Sequence, residues 1–234
     1  MSHERVVRLV ERAAAGDEAG LPGRLCRAVR DGLGMDGATM SLLTHTDARQ
    51  LLCVTGDEAL RLEQLQFESA EGPCMAASES GIPVVCMDPR DCLSLWPIFG
   101  SRLSEELSDI ALVLAVPLIP SGGRKPVGSL DVLRHTPWRP RENLVAEATA
   151  AAQAVTDILL RRAVHHFGGT EPLPWEPADV IDAHWGQTRR AAGRLAARRD
   201  IEVSEALALL RARAFATGRP LPQVSGDLLD EPGD

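Results

Sequence analysis

The run Ile110 to Ile119 (IALVLAVPLI) has the length and apolar character of a long buried strand. Pro120 to Pro126 follows, with Ser121-Gly122-Gly123 as turn residues, and Val127 to Arg134 reads as the next strand. A parallel neighbour would require a crossover of about a dozen residues or more, usually a helix. The connection here is only hairpin length. The two strands are therefore expected to pair antiparallel, which disfavours a doubly wound parallel sheet.

The rest of the first 167 residues fits an α+β domain with about five or six antiparallel strands and helices packed on them. An N-terminal helix is expected within 1–20, carried by Val6, Val10 and Ala13-Ala14 and ended by Gly16-Asp17. Leu25, Val29 and Leu33 mark a second helix closed by Gly34. Ala38 to His45 and Gln50 to Thr55 read as a hairpin, and Ala59 to Phe67 as a helix. Glu71-Gly72-Pro73-Cys74 opens a short helix that stops at Gly81. Ile82 to Met87 is β-rich, and Leu95 to Leu107 is expected to be helical. Asn143 to Phe167 is a long helix rich in alanine and leucine. Gly168 to Pro174 opens a linker placed at 168–178.

Beyond the linker, Ile201 to Leu229 reads as two short helices joined by Thr217-Gly218-Arg219-Pro220. Val203, Leu207, Leu210 and Ala214 share one helix face. Gly218 suits the left-handed closing residue, and Pro220 the first position of the next helix. Leu221, Val224 and Leu228 resume the apolar stripe.

The chain carries a net charge of -8, unevenly distributed. Trp185 to Leu221 holds eight arginines against Asp200, Glu202 and Glu205, a net +5, which leaves -13 for the remainder. Such a basic end on an acidic body is either an anion-binding surface or a solvated helix face. The strong excess of arginine over the single lysine, Lys125, carries no functional weight. No apolar run reaches membrane-spanning length, and Met1 to Arg5 lacks the apolar core of a signal peptide, so a cytoplasmic location is expected. Five cysteines, an odd number, then read as free thiols. No Cys-x-x-Cys spacing occurs and the histidines do not cluster with the cysteines, so neither a metal nor a cofactor is expected. Nothing pairs Glu79, Asp88, Asp91 or Asp131 at a spacing that puts two carboxylates on one face. Neither a nucleophile elbow nor a phosphate-cradling glycine loop is present, and no catalytic residues are assigned. Cys53, Cys74, Cys86 and Cys92 leave thiol redox chemistry as an alternative, although Cys53 and Cys86 suit small apolar positions on strands.

Several pieces of the first domain, in order, resemble a GAF domain: Leu65-Gln66, Glu71-Gly72-Pro73-Cys74, Gly81 to Val84 with Asp88, Trp96-Pro97-Ile98-Phe99, Val116-Pro117-Leu118 and Val127 to Asp131. The resemblance implies a GAF-like sensor at 21–167 that binds a small ligand or mediates dimerisation, its ligand unknown. Ala191-Ala192-Gly193, Val203 to Leu207, Leu210-Arg211, Ala214 to Ala216, Gly218 to Leu221 and Val224 resemble an ANTAR domain, placed at 179–230 with a short tail at 231–234. This implies a small three-helix, ANTAR-like module that binds structured RNA hairpins in nascent transcripts and promotes antitermination.

On that basis Arg189, Arg190, Arg194, Arg198, Arg211, Arg213 and Arg219 are the expected RNA-binding residues, since guanidinium groups pair with phosphate and stack on unpaired bases. Trp185 and Phe215 are the nearby aromatics, with Phe215 expected in the core. Duplex DNA is disfavoured, because Pro220 to Asp234 holds four acids and no base where a reading helix needs the reverse. Thr188, Arg194 and Arg199 stand where the family commonly has apolar residues, and Ser225-Gly226 replaces a helix-favouring pattern. These departures leave open a sensor and dimerisation protein whose tail binds protein without RNA. Ala148, Val155, Leu159 and Arg162 give the long helix a partly apolar face that could pair two subunits, so a homodimer is expected.

Overall fold

The computed structural model describes residues 2–43, 49–87, 89–135, 141–166 and 185–231. The chain forms two compact units, residues 1–43 with 50–176 and residues 44–49 with 177–234. The expected linker at 168–178, Asp88 and residues 232–234 of the tail lie outside the described residues.

In the first unit β1 (Gly37–Leu43), β2 (Arg49–Thr55), β3 (Val84–Cys86), β4 (Ile110–Leu118) and β5 (Gly128–His135) form one sheet in the order β2-β1-β5-β4-β3. β4 and β5 pair antiparallel from Ile110 opposite His135 to Leu118 opposite Gly128, as the short turn requires. β1 pairs antiparallel with β5, and β3 with β4. β3 is shorter than the apolar run around it.

Strand alternation divides the side chains between two helical layers. Met40, Leu114, Val116, Leu130 and Val132 join one core with α1 (Ser2–Ala13), α2 (Leu21–Leu33) and α7 (Leu144–His166). On the opposite face Val113 and Leu133 pack with Leu62 of α3 (Asp57–Ser69) and with Phe99 and Leu103 of α6 (Pro97–Glu106). Between α3 and α6 lie α4 (Pro73–Ser80) and α5 (Pro89–Leu95). Each fully buried Val, Leu or Phe is worth about 1.5–3 kcal/mol, so coverage on both faces accounts for the unbroken apolar character of β4.

Ala148, Val155 and Leu159 of α7 are buried in this unit's own core. These residues of the expected pairing face pack on the unit's own sheet.

The helix expected over Leu95 to Leu107 forms as α6, Pro97–Glu106; Trp96 leaves helical geometry (φ -137°, ψ 83°), sets its start and separates it from α5. Pro97 is the cause, because a proline ring disfavours helical backbone at the residue before it. The cysteines correct an expectation: not all five are free. Cys86 and Cys92 are joined as a disulfide, with Cα atoms 6.0 Å apart, while Cys26, Cys53 and Cys74 remain buried thiols. The end of β3 and the middle of α5 fold toward one another, a proximity that a six-residue spacing does not announce.

The segment Glu71 to Cys74 is a junction. Glu71 Oε2 accepts hydrogen bonds from the backbone N–H groups of Ile98 (3.0 Å) and Phe99 (3.1 Å), capping the first turn of α6. Gln66 donates to Asp131 Oδ2 (2.9 Å) and accepts from the Cys74 N–H (2.8 Å), tying β5 to the start of α4. A Cβ on Gly72 would stand 2.8 Å from the Gln66 side chain, so this position needs glycine. Arg61 of α3 bonds Glu106 of α6 at 2.6 Å, and that bond holds the Glu106 carboxyl below its ordinary range.

The second unit is a three-helix module: α8 (Gln187–Arg199), α9 (Val203–Thr217) and α10 (Leu221–Asp230). Its core includes Ala191, Leu195, Leu207, Leu210, Leu221, Val224 and Leu228. Gly218 closes α9 with φ 61°. Pro220 is the residue before α10, not its first position, and Pro222 stands inside the first turn. Among the described residues, no helix is long and apolar enough to cross a membrane.

Glu71→Ala should lower the stability of the first unit by about 1–2 kcal/mol, the cost of losing a helix cap, with Glu71→Gln retaining part of it. Chemical denaturation of the two variants measures this. No change in Glu71→Ala would remove the capping role.

Candidate functional site

The seven arginines named from the sequence lie on α8, on α9 and in the turn after it, but the fold gives them different surroundings. Arg190 and Arg213 are exposed, and Arg189 and Arg211 are half-buried. Arg194 donates to the backbone carbonyls of Leu229 (2.5 Å) and Glu231, fastening α8 to the end of α10. That end carries the negative pole of the helix, where a cation is favoured. Arg198 pairs with Glu231 at 3.1 Å, and Arg219 with Asp227 at 2.7 Å. The Arg219 hydrogen bond holds the Asp227 carboxyl below its ordinary value. Arg199, absent from the expected set, is also exposed.

The departures from the ANTAR pattern answer one another. Thr188 is buried and hydrogen-bonded to the Ser225 hydroxyl (3.2 Å), which also donates to the Leu221 carbonyl (2.7 Å). A Cβ on Gly226 would lie 2.9 Å from the Gln187 amide nitrogen, the far end of that side chain, which places α10 beside the start of α8. Thr188 and Arg194, at positions where the pattern is commonly apolar, make polar contacts instead. A buried hydroxyl pair satisfied in this way avoids the desolvation penalty of an unpaired one.

Of the two aromatic residues, Phe215 is placed opposite to expectation. Trp185 is 4% exposed and belongs to the core, while Phe215 is 73% exposed on α9. Phe215 follows Ala214 by one residue, which turns it off the stripe formed by Leu207, Leu210 and Ala214. Exposed Ala212 and Ala208 lie one and two turns before it, respectively, on the same face. Arg211, four residues before Phe215, is neighboured by the same surface. Burial pushes the Arg211 guanidinium down to about 10, where it is still charged at neutral pH.

Arg198 and Arg199 of α8, Arg213 of α9 and Glu231 after α10 border a cleft of about 570 Å³, with Leu195, Leu209, Leu210 and Leu228 also lining it.

The first unit has a polar centre of its own. Thr39 faces Asp131 and Ser41 faces Ser129 across β1 and β5, and all four are buried. Glu63 and Gln66 of α3 and Cys74 and Ser78 of α4 bring further buried polar groups. One ligand atom each of Glu63, Cys74 and Asp131 lies within 4.8 Å of the others, so these are the described residues with the grouping a cation would require. The Thr39 hydroxyl donates to Glu63 (3.4 Å). Neither the acids nor the thiol were grouped by spacing, since they come from α3, α4 and β5. Burial, with Cys26 alongside, raises the Cys53 pKa well above its ordinary value, so this sulfur stays a thiol and a poor nucleophile.

A comparison with protein-family models finds none that matches, and a comparison with curated proteins finds no relative. Solved structures do match. A GAF domain of a phosphoenolpyruvate-protein phosphotransferase from Coxiella burnetii is 16% identical, with a TM-score of 0.55 over 70% of this chain and 96% of that one. The GAF domain of the Acinetobacter phosphoenolpyruvate-protein phosphotransferase is 14% identical, with a TM-score of 0.52 over 72% and 96%. A domain of a sensor histidine kinase protein from Sinorhizobium meliloti is 13% identical, with a TM-score of 0.52 over 67% and 100%. At these identities the likeness shows a GAF-like fold: a five-stranded antiparallel sheet with packed helices.

The lowered pKa of Arg211 has a definite sign. The folded state disfavours the charged guanidinium, which is the form present at neutral pH, so the group costs stability there. Arg211→Met keeps the stem and removes the charge. It should weaken binding of a two-hairpin RNA, read by fluorescence anisotropy. Unchanged affinity would take Arg211 out of the interface.

Proposed function

We propose that this chain is a regulator in which the GAF-like unit receives an input and the three-helix module binds structured RNA of the antitermination type. The observation that carries this reading is the module's charge distribution. Arg190, Arg199 and Arg213 are exposed on α8 and α9, in a chain whose remainder is strongly acidic. Phosphate contacts by guanidinium groups supply affinity, and an exposed aromatic such as Phe215 offers a face on which an unpaired base stacks. A hairpin loop presents both phosphates and splayed bases. Duplex DNA fits less well, because α10 presents Asp227 and Asp230 and no basic side chain.

The buried centre around Gln66 and Asp131 supports a sensory role for the first unit. Its polar groups would be the ones rearranged by a ligand entering between the sheet and α3 or α4. Stabilisation of a hairpin in a nascent transcript would let polymerase continue, and the work would take place in the cytoplasm.

The test is fluorescence anisotropy with a two-hairpin RNA, for the intact chain and for Arg190→Glu with Arg213→Glu. Both residues are exposed, so the double variant should fold normally and lose affinity by on the order of tenfold or more as phosphate contacts become repulsive. Equal binding by both proteins removes these residues from the interface. No binding by the wild type removes the RNA reading.

A further inference from the structure

We infer that the cleft between α8, α9 and the end of α10 is a pocket for a single unpaired nucleotide extruded from the RNA. This rests on the RNA reading and narrows it to one structural feature of the partner. The cleft is open to solvent and holds about 570 Å³, within the roughly 300–1,000 Å³ of small-molecule sites. Its lining divides by chemistry. Leu195, Leu210 and Leu228, all buried residues of the module core, form an apolar floor. Arg198, Arg199 and Arg213 stand around it. A flat base over leucines, with its phosphates between guanidinium groups, satisfies both parts at once. A purely apolar occupant would leave the arginines to be desolvated without compensation, and an inorganic anion would leave the floor bare.

Glu231 makes the site selective. Its carboxylate lies at the same cleft and holds Arg198 at 3.1 Å, with both side chains partly open to solvent. An entering phosphate must displace or repel it. Glu231 therefore acts as a built-in competitor, and its removal should strengthen binding. That effect is opposite in direction to the loss expected from removing an arginine. Arg199 also gains a role. It stands where an apolar residue is common in ANTAR sequences, and here it places a second guanidinium next to Arg198.

The experiment uses the intact chain and two RNAs of the same composition. One is a hairpin with 2-aminopurine at an unpaired loop position, and the other has the same base closed into a duplex. Both are titrated by anisotropy and by 2-aminopurine fluorescence. Wild type should prefer the open loop and change the fluorescence of its reporter. Arg199→Ala and Arg213→Ala should each weaken loop binding by roughly tenfold, in the range of one stacked and charge-paired nucleotide, and change duplex binding far less. Glu231→Gln should tighten loop binding several-fold. Circular dichroism confirms that these surface variants fold. If the variants shift loop and duplex affinity equally, the arginines supply general charge and the pocket assignment falls. If Arg190→Glu abolishes binding while Arg199→Ala and Glu231→Gln change nothing, the RNA reading stands and the pocket falls alone. If wild type binds neither RNA, both fall.

Discussion

Antiparallel hydrogen bonding between β4 and β5, in register from Leu112–Arg134 to Leu118–Gly128, is the interaction on which the first unit depends. It sets two adjacent strands at the middle of the sheet, and their alternating side chains must be covered on both faces. One face is covered by α1, α2 and α7 and is apolar throughout its centre. The other is divided. Val113 and Leu133 pack against α3 and α6, whereas buried Asp131 meets Gln66 of α3 and lies near Cys74 of α4. A buried carboxylate is tolerated only with hydrogen-bonding partners, and Gln66 supplies one while also holding the start of α4. The same side chain thus links the sheet, the covering helices and the polar centre.

The helical module solves its smaller problem differently. A three-helix unit has little apolar surface to bury, and this one spends its leucines and alanines on the contacts among α8, α9 and α10. Two of its joints are polar: Thr188 with Ser225, and Arg194 with the carbonyls at the end of α10. Arg194 therefore serves the fold, while Arg190, Arg199 and Arg213 remain at the surface. Phe215 lies on the same helix as Arg213 but turned off the core stripe, so the module carries charge and an aromatic face together.

Local signals were legible in the residues, and long-range ones were not. The β4–β5 hairpin followed from an apolar run, a turn and a second run. The close of α9 at Gly218 followed from one glycine. The GAF-like fold was legible from the order of short segments, and the structure shows why two of them belong together: Glu71 of one caps the helix opened by Trp96-Pro97 of the other. The start of α6 was expected two residues early, at Leu95, although Pro97 signals it. The Cys86–Cys92 disulfide has no spacing signature. The sorting of the arginines was also hidden, because Arg194 and Arg198 find partners more than thirty residues away, and only the packing of α8 on α10 brings them near. Phe215 was misplaced for a simpler reason: its position off the apolar stripe was readable, but its size argued for burial.

The central claim is that the module's exposed guanidinium groups hold an RNA by its phosphates. The most direct measurement is the affinity of the intact chain for a two-hairpin RNA across a salt series. Counterion release predicts that the logarithm of the association constant falls linearly with the logarithm of salt, with a slope of about -0.7 to -0.9 for each phosphate neutralised. Arg190, Arg199 and Arg213 together predict a total slope of roughly -2 to -3 on that scale. A slope near zero, or no measurable binding at the lowest salt, would contradict the account.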